Sequence, residues 1–316
     1  LPELVVIDEI QKAPLLLDEV HWLIENTGVL FCLCGSSARK VKRSHANLLG
    51  GRAVRYELFG LTSDELKESF DLERIINRGY IPNHYLQSNY KRLIHSYLNN
   101  YLKEEILEEG VVRDLPAFEG FLRAAAMTDT EFVNYTNIAA DCGVSSQTVK
   151  SYFEILLDTL LARRLPAYTR KPKRKTTRMT KFYFFDVGLV NMLAKRGNLL
   201  SGSAEFGNAF ENWVFHELSS YREYSELFFD LSYWALSSGA EVDFIVNDME
   251  LALEAKSTRK VNNKHLKGLR ELAKDQPTVK QRTLVSLEHK SRKTDDGILI
   301  LSVEDFTERL WGGRLI

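Results

Sequence analysis

The chain has 316 residues, 44% of them hydrophobic and 27% charged, with 18 Gly and 7 Pro, a balance that excludes wholesale disorder, a collagen-like fibre and a coiled-coil rod. Its 42 basic and 43 acidic residues leave a net charge of −1, so no global field marks a nucleic-acid partner and such a partner has to be read from local runs. Three cysteines, Cys32, Cys34 and Cys142, are too few and too odd in number for a disulfide framework and point to a reducing, cytoplasmic compartment. No apolar run reaches the roughly 18 residues that span a bilayer, so no membrane partner is expected.

At about 150 residues per domain the length suggests two domains. The first pattern, Leu4-Val5-Val6-Ile7-Asp8-Glu9, is an apolar run closing on two carboxylates. It reads as a buried strand of a parallel sheet, and ligands sit beyond the carboxyl ends of such strands. Asp-Glu at that end is the Walker B pattern, an Asp for water-coordinated Mg²⁺ and a Glu to polarise the attacking water. Val29 to Cys34 reads as a second strand running into Gly35-Ser36-Ser37. Arg52, after Gly50-Gly51, is either a phosphate-stabilising arginine or a plain surface one. No G-x-x-x-x-G-K-[ST] loop occurs, so nothing here cradles the β- and γ-phosphates. ATP with Mg²⁺ is therefore expected only in a longer form with a P-loop, and a start at Leu1 reads as a cut through a sheet.

From Leu61 the pattern turns helical. Thr62-Ser63-Asp64-Glu65 has the signature of a helix start. Tyr90 to Leu107 carries apolar residues at three- and four-residue spacing, and Arg78-Gly79-Tyr80-Ile81-Pro82 is a breaker. These helices are expected to form a lid or linker over 62–125, packed against the first 61 residues.

Thr136 to Tyr152 predicts a helix-turn-helix: small Ala139 and Ala140, a turn at Gly143, then a second helix capped by Ser145 or Ser146. Gln147, Thr148 and Lys150 at the start of that helix suit phosphates or base edges, although the pair serves equally as a packing module. From Arg163 to Lys181 there are nine Lys or Arg residues and no acid, among them Arg170, Lys171, Lys173, Arg174 and Lys175. Flanked by Leu161–Leu165 and Lys181–Phe185, both strand-like, this reads as a basic β-wing over DNA or as a solvated loop. The winged helix-turn-helix is assigned to 126–190.

The strongest chemical pattern lies at 200–316. Phe206–Tyr221 predicts a helix bearing Glu211, and Gly239–Val246 and Glu250–Lys256 predict a hairpin. Asp243 and Glu254 then lie on neighbouring strands, and Glu254 and Lys256 share one strand face. Carboxylates that hold Mg²⁺ and a lysine that stabilises developing charge are what phosphodiester hydrolysis needs. Glu211, Asp243, Glu254 and Lys256 follow the order of the PD-(D/E)xK nuclease core, with Val242 where that pattern has proline. An E-x-K pair alone is equally a cross-strand ion pair. Between Arg259 and Lys293, eleven Lys or Arg face three acids, and Lys260, Lys264 and Lys267 have helical spacing, a phosphate track or a solvated face.

In this order, LVVIDEIQKAP, GSSARK, the F-x-D-V-G-L stretch at 184–189 and EVDFIV…LEAK together resemble the DUF4143-containing AAA ATPases with an N-terminal AAA_14 domain. The resemblance implies Asp8 and Glu9 as the Walker B pair, Ser36 or Ser37 as the sensor and Arg52 as the loop arginine. It implies Glu211, Asp243, Glu254 and Lys256 as the nuclease-like cluster and a DUF4143 region over roughly 98–258; the chemistry of the cluster places the expected Mg²⁺ at Asp243 and Glu254, with Glu211 assisting. Arg78 stands where the family usually has a second glycine. The expected fold is mixed α/β: a truncated AAA+ P-loop-type core with helical lid, a winged helix-turn-helix and a restriction-endonuclease-like domain. The expected partner is DNA, with a homo-oligomer through the AAA+ region left open. The expected function is DNA binding with a metal-dependent nuclease site, or a non-catalytic DNA-binding or regulatory module on a degenerate nuclease-like fold.

Overall fold

The computed structural model describes residues 2–35, 52–101, 112, 114–169 and 179–316. Strands β1 (Leu4–Ile7) and β2 (Leu30–Leu33) are parallel and in register, Leu4 opposite Leu30, with helix α1 (Leu16–Thr27) connecting them. Ile10, Leu17 and Val20 form a small core with Ile7, Ile24, Phe31 and Leu33. The expected parallel pairing is present, but the strands are not buried on both sides. Leu4, Val6 and Leu30 are exposed, because alternate side chains point to opposite faces and, among the described residues, α1 covers one of them.

Helices α2 (Ser63–Leu66), α3 (Leu72–Arg78), α4 (Pro82–Leu86) and α5 (Tyr90–Ser96) follow. The α2 start is the expected capping box: the Glu65 amide donates to Thr62 Oγ1 at 3.3 Å and the Thr62 amide donates to Glu65 Oε2 at 2.9 Å. The lid expectation is corrected here. Leu66, Ile75, Ile76, Tyr80 and Tyr85 are buried in one core with Phe206, Phe210 and Trp213 of the long helix α10 (Ala204–Tyr224), and none of them joins the core of β1, β2 and α1. The expected helix over Tyr90–Leu107 ends α-helical hydrogen bonding at Ser96 and continues as a π turn over Tyr97–Tyr101.

A second core unites α6 (Leu115–Met127), α7 (Tyr135–Cys142) and α8 (Ser146–Asp158) with the hairpin strands β3 (Ala162–Leu165) and β4 (Lys181–Phe184). α7 ends at Gly143, whose φ of 66° is the left-handed conformation that glycine adopts without strain. Ser145 caps α8, its Oγ accepting from the Thr148 amide at 3.1 Å. Helix α9 (Val187–Leu193) then leads to α10.

The last part is a mixed six-stranded sheet ordered β5-β6-β7-β8-β10-β9: β5 (Leu231–Ala235), β6 (Glu241–Val246), β7 (Leu251–Lys256), β8 (Gln281–Ser286), β9 (Arg292–Lys293) and β10 (Leu299–Leu301). β5, β6 and β7 are antiparallel neighbours, while β7, β8 and β10 run parallel. Phe244, Val246, Leu251 and Leu253 point to α10 and α12 (Val303–Trp311), and Val242, Ile245 and Ala252 point to α11 (Lys267–Asp275). Both faces of β6 and β7 are thus buried, and Val242 and Ile245 share one although three apart, because the pairing of β6 with β5 shifts register by one residue between them. Lys260 and Lys264 precede α11, so the expected helical track through Lys267 is not formed; its first helical residue is Lys267 itself. Among the described residues, no helix is long and apolar enough to cross a membrane.

Candidate carboxylate–lysine site

β6 and β7 pair through Phe244 opposite Leu253, and Asp243 and Glu254 follow one residue beyond that pair on the two strands. Both side chains are nearly fully buried. Lys256, two residues after Glu254 on the same face, places Nζ 2.7 Å from Glu254 Oε1 and 3.4 Å from Asp243 Oδ2. Asp243 Oδ2 also accepts from the Ala255 amide at 2.8 Å, which fixes it to the neighbouring strand. Glu254 Oε2 is buried with no hydrogen-bond partner among the described residues.

Helix α10 brings Glu211 to the cluster. Its Oε1 accepts from Tyr183 Oη at 2.7 Å and from Lys181 Nζ at 3.2 Å, and Lys181 also pairs closely with Glu241 at the start of β6. Burial pushes the Glu211 carboxyl up to about 7, with the charge of Asp243 adding to it and Lys181 and Lys256 opposing. Burial, then Asp243, pushes Glu254 up to about 8 against the pull of Lys256. Burial alone would depress Lys256, but Asp243, Glu254 and Glu211 outweigh it and hold the ammonium well above the ordinary lysine range. Lys181 is likewise raised, its desolvation overcome by Glu211, Asp243 and Glu241.

The first turn of α11 closes the site from the other face. A Cβ on Gly268 would lie 1.9 Å from the Glu241 carbonyl oxygen and 3.6 Å from Glu254 Oε2, so glycine is what lets the helix start so near the carboxylates.

The four nuclease-like residues expected from sequence are therefore brought together. Lys181, Tyr183 and Glu241 were missed. Lys181 and Tyr183 alternate on β4 and so share a face, a signal present in Lys181-Phe182-Tyr183 but masked by the basic run before it.

The remaining predicted residues are dispersed. Asp8 and Glu9 follow β1; Asp8 Oδ1 accepts the Glu9 amide at 2.9 Å, and Glu9 pairs with Lys12 at 3.9 Å. Arg52 pairs with Glu25 of α1 at 2.6 Å. Gln147 and Lys150 are exposed on the first turns of α8, Lys150 over the ring of Tyr135 at 5.5 Å, while Thr148 Oγ1 is engaged with Ser145 Oγ at 2.9 Å. Ser36, Ser37, Arg170, Lys171, Lys173, Arg174 and Lys175 lie outside the described residues. Of the nine basic residues at 163–181, the described ones are each paired with an acid from elsewhere: Arg163 with Glu57, Arg164 with Glu154, and Lys181 as above. The like charges of the run are thus offset by acids at both of its ends.

Residues 2–67 match an AAA domain family, AAA_14, and residues 206–306 match DUF4143, a domain of unknown function. Residues 69–200 match a further domain of unknown function, DUF8612, so the DUF4143 part begins at the long helix α10 and not near residue 98. Two of these matches are to the domain families of the DUF4143-containing AAA proteins of AAA_14 type that the chain resembles. It is similar to the uncharacterized protein Mb2031c of Mycobacterium bovis and the uncharacterized protein Rv2008c of Mycobacterium tuberculosis, each 23% identical over 249 residues, which cover 77% of this chain and 56% of the relative. The chain thus spans about half the length of the curated relatives it matches. No solved structure matches it.

Proposed function

We propose that this chain is a DNA-binding protein of the AAA ATPase class whose C-terminal domain cleaves phosphodiesters with Mg²⁺ held by Asp243 and Glu254. One observation carries the reading: Asp243, Glu254, Lys256 and Glu211 converge in a cluster, buried at Asp243 and Glu254 and half-buried at Glu211 and Lys256, with more carboxylates than ammonium groups. Among the described residues, the cations paired with Glu211, Glu241, Asp243 and Glu254 are Lys181 and Lys256, so two negative charges are left over there when all ionise. The orphaned, buried Glu254 Oε2 is a donor aimed at no partner. Mg²⁺ commonly takes one or two carboxylates and completes its shell with waters and phosphate oxygens, so this donor set fits it.

Bound there, the ion would activate water and shield the charge of an in-line displacement. Lys256, beside Glu254 and Asp243, would donate to a phosphate oxygen as negative charge develops. Tyr183 and Lys181 fix the Glu211 carboxylate in place. The DNA reading draws on the α7–Gly143–α8 pair, read as the reader of a winged helix-turn-helix with exposed Gln147 and Lys150, together with the basic residues Arg170 to Lys175. ATP with Mg²⁺ at Asp8 and Glu9, with Ser36 or Ser37 as the sensor and Arg52 as the loop arginine, belongs to a form that has a P-loop.

Incubating plasmid and single-stranded DNA with Mg²⁺ and comparing wild type with Asp243→Ala and Lys256→Ala tests this. Cleavage that both substitutions abolish is expected. No cleavage, or equal cleavage by the variants, overturns it. The second reading, a non-catalytic DNA-binding or regulatory module, is favoured by a different observation. Among the described residues no three His, Cys, Asp or Glu side chains stand ready to hold a metal ion, and the lysines already satisfy much of the cluster.

A further inference from the structure

Lys181 belongs by sequence to the basic run of the middle module, yet its side chain is only 4% exposed and ends among the carboxylates of the C-terminal sheet. Its backbone is held from two sides. It pairs with Leu165 on β3 and bridges Phe132. The segment after β3 in turn adds to the edge of the sheet: Ala167 bridges Tyr233 of β5, with the Tyr168 amide donating to the Tyr233 carbonyl at 2.7 Å and the Tyr233 amide to the Pro166 carbonyl at 2.9 Å. The ammonium lies 5.2 Å from the Phe132 ring and 5.9 Å from that of Tyr233. A lysine so enclosed cannot turn its head to solvent as surface lysines do.

We propose that Lys181 is a built-in counter-cation standing where a second divalent ion would otherwise bind, so that the site takes one Mg²⁺ at Asp243 and Glu254 and none between Glu211 and Glu241. The inference rests on the metal reading of the same site. Glu211 from α10 and Glu241 from β6 converge on a single point, and two carboxylates from separate elements aimed at one point are the donor chemistry of a cation site. Here that point holds an ammonium delivered by another module. Its one charge, fixed to the chain, cannot be exchanged or removed by a chelator. With Lys256 it leaves, among the described residues, two of the four carboxylate charges unmatched once all four ionise, which a single divalent ion supplies. Lys181 is thus a positioning residue: it sets how many ions the site holds and keeps Glu211 in place without touching the reacting atoms.

Mn²⁺ binding to the full chain, by calorimetry and by electron paramagnetic resonance, tests the inference on wild type, Lys181→Met, Lys181→Gln and Lys181→Arg, with circular dichroism reporting the fold. The glutamine retains donors for Glu211 and Glu241 without the charge, and so keeps the test open if the methionine variant does not fold. Wild type and Lys181→Arg are expected to bind one Mn²⁺, and the uncharged variants two. Folded Lys181→Met or Lys181→Gln protein that binds one Mn²⁺ with wild-type affinity overturns the counter-cation role and leaves the metal site standing. Absence of Mn²⁺ binding by wild type overturns the metal reading. In that case an ion gained by the uncharged variants sustains the role of Lys181, and none gained overturns it as well.

Discussion

The carboxylate of Asp186 fills the space that a side chain on Gly79 would need: a Cβ there would lie 2.1 Å from Asp186 Oδ1. With the side chain absent, Asp186 Oδ2 accepts from the Tyr80 and Ile81 amides at 2.6 and 3.0 Å, while Oδ1 caps α9 by accepting from the Leu189 amide at 3.0 Å. Gly188 completes the joint, since a Cβ on it would lie 2.3 Å from the Arg78 carbonyl oxygen. The F-x-D-V-G-L stretch and the Arg78-Gly79-Tyr80 breaker are therefore two halves of one buried clasp between α3 and α9.

Gly79→Ala should break that clasp. Gly79 has φ 85° and ψ −170°, a backbone region open almost only to glycine, and the added methyl collides with Asp186. The expected cost is about 3 kcal/mol or more, seen as a lowered denaturant midpoint at unchanged slope. Asp186→Ala, which strands three amides, should cost a similar amount. A midpoint unchanged by either substitution contradicts the clasp.

Glu217 joins three elements in the same way. Its Oε1 accepts from the Ser63 amide at 2.9 Å and from Trp213 Nε1 at 3.1 Å, and its Oε2 accepts from Ser63 Oγ at 2.7 Å and Trp311 Nε1 at 2.7 Å. Glu217→Ala leaves four donors unpaired, three of them buried, and should destabilise by about 3–5 kcal/mol. Glu217→Gln, which keeps an acceptor oxygen but sets an NH₂ against donors, should fall between alanine and wild type. Equal thermal midpoints for wild type and Glu217→Ala would remove this residue from the list of structural anchors.

Gly268→Ala tests how the site is closed. Because the added Cβ would meet the Glu241 carbonyl oxygen at 1.9 Å, the first turn of α11 must move off the carboxylates. Fluorescence of Trp234 on β5, whose Nε1 donates to Asp275 of α11 at 3.3 Å, should report the shift. An unaltered Trp234 signal, read with the other tryptophans replaced, would show that α11 tolerates the methyl in place.

Much of this was legible in the residues where the signal is local. The Thr62–Glu65 capping box, the Gly143 turn and the Ser145 cap each depend on four or five consecutive positions. Asp243, Glu254 and Lys256 met because a hairpin and a period of two leave little choice. What failed depends on partners far away in sequence. Leu72, Ile75 and Ile76 fall at i, i+3 and i+4 and so mark an apolar face, but not that α10 covers it. Lys181 looks solvated in a run of nine basic residues, and only the docking of Ala167 onto Tyr233 turns it inward. Lys260, Lys264 and Lys267 keep the helical spacing, yet Asn262 and Asn263 intervene as a turn, with the Lys264 amide donating to Asn262 Oδ1 at 3.0 Å.

His216 gives the protein a defined acid limit. Its ring is stacked on Tyr80 at 4.0 Å, Nε2 lies 3.1 Å from the Leu61 carbonyl oxygen, and Nδ1 is buried without a hydrogen-bond partner among the described residues. Burial, reinforced by Arg163, lowers its pKa to about 3, whereas the free side chain titrates at about 6.5. Between these values the unfolded chain binds a proton that the folded protein refuses, so stability contributed by neutral His216 is complete above about 6.5 and is lost as the pH falls towards about 3. The loss approaches about 1.4 kcal/mol per pH unit once the unfolded histidine is fully protonated. Urea unfolding of wild type and His216→Gln at a series of pH values isolates this contribution, because every other group titrates in both proteins. The variant should be less stable than wild type at neutral pH and lose less on acidification, so the gap between them narrows from pH 6.5 downwards. A gap that stays constant over that range would mean that His216 becomes protonated without unfolding the chain.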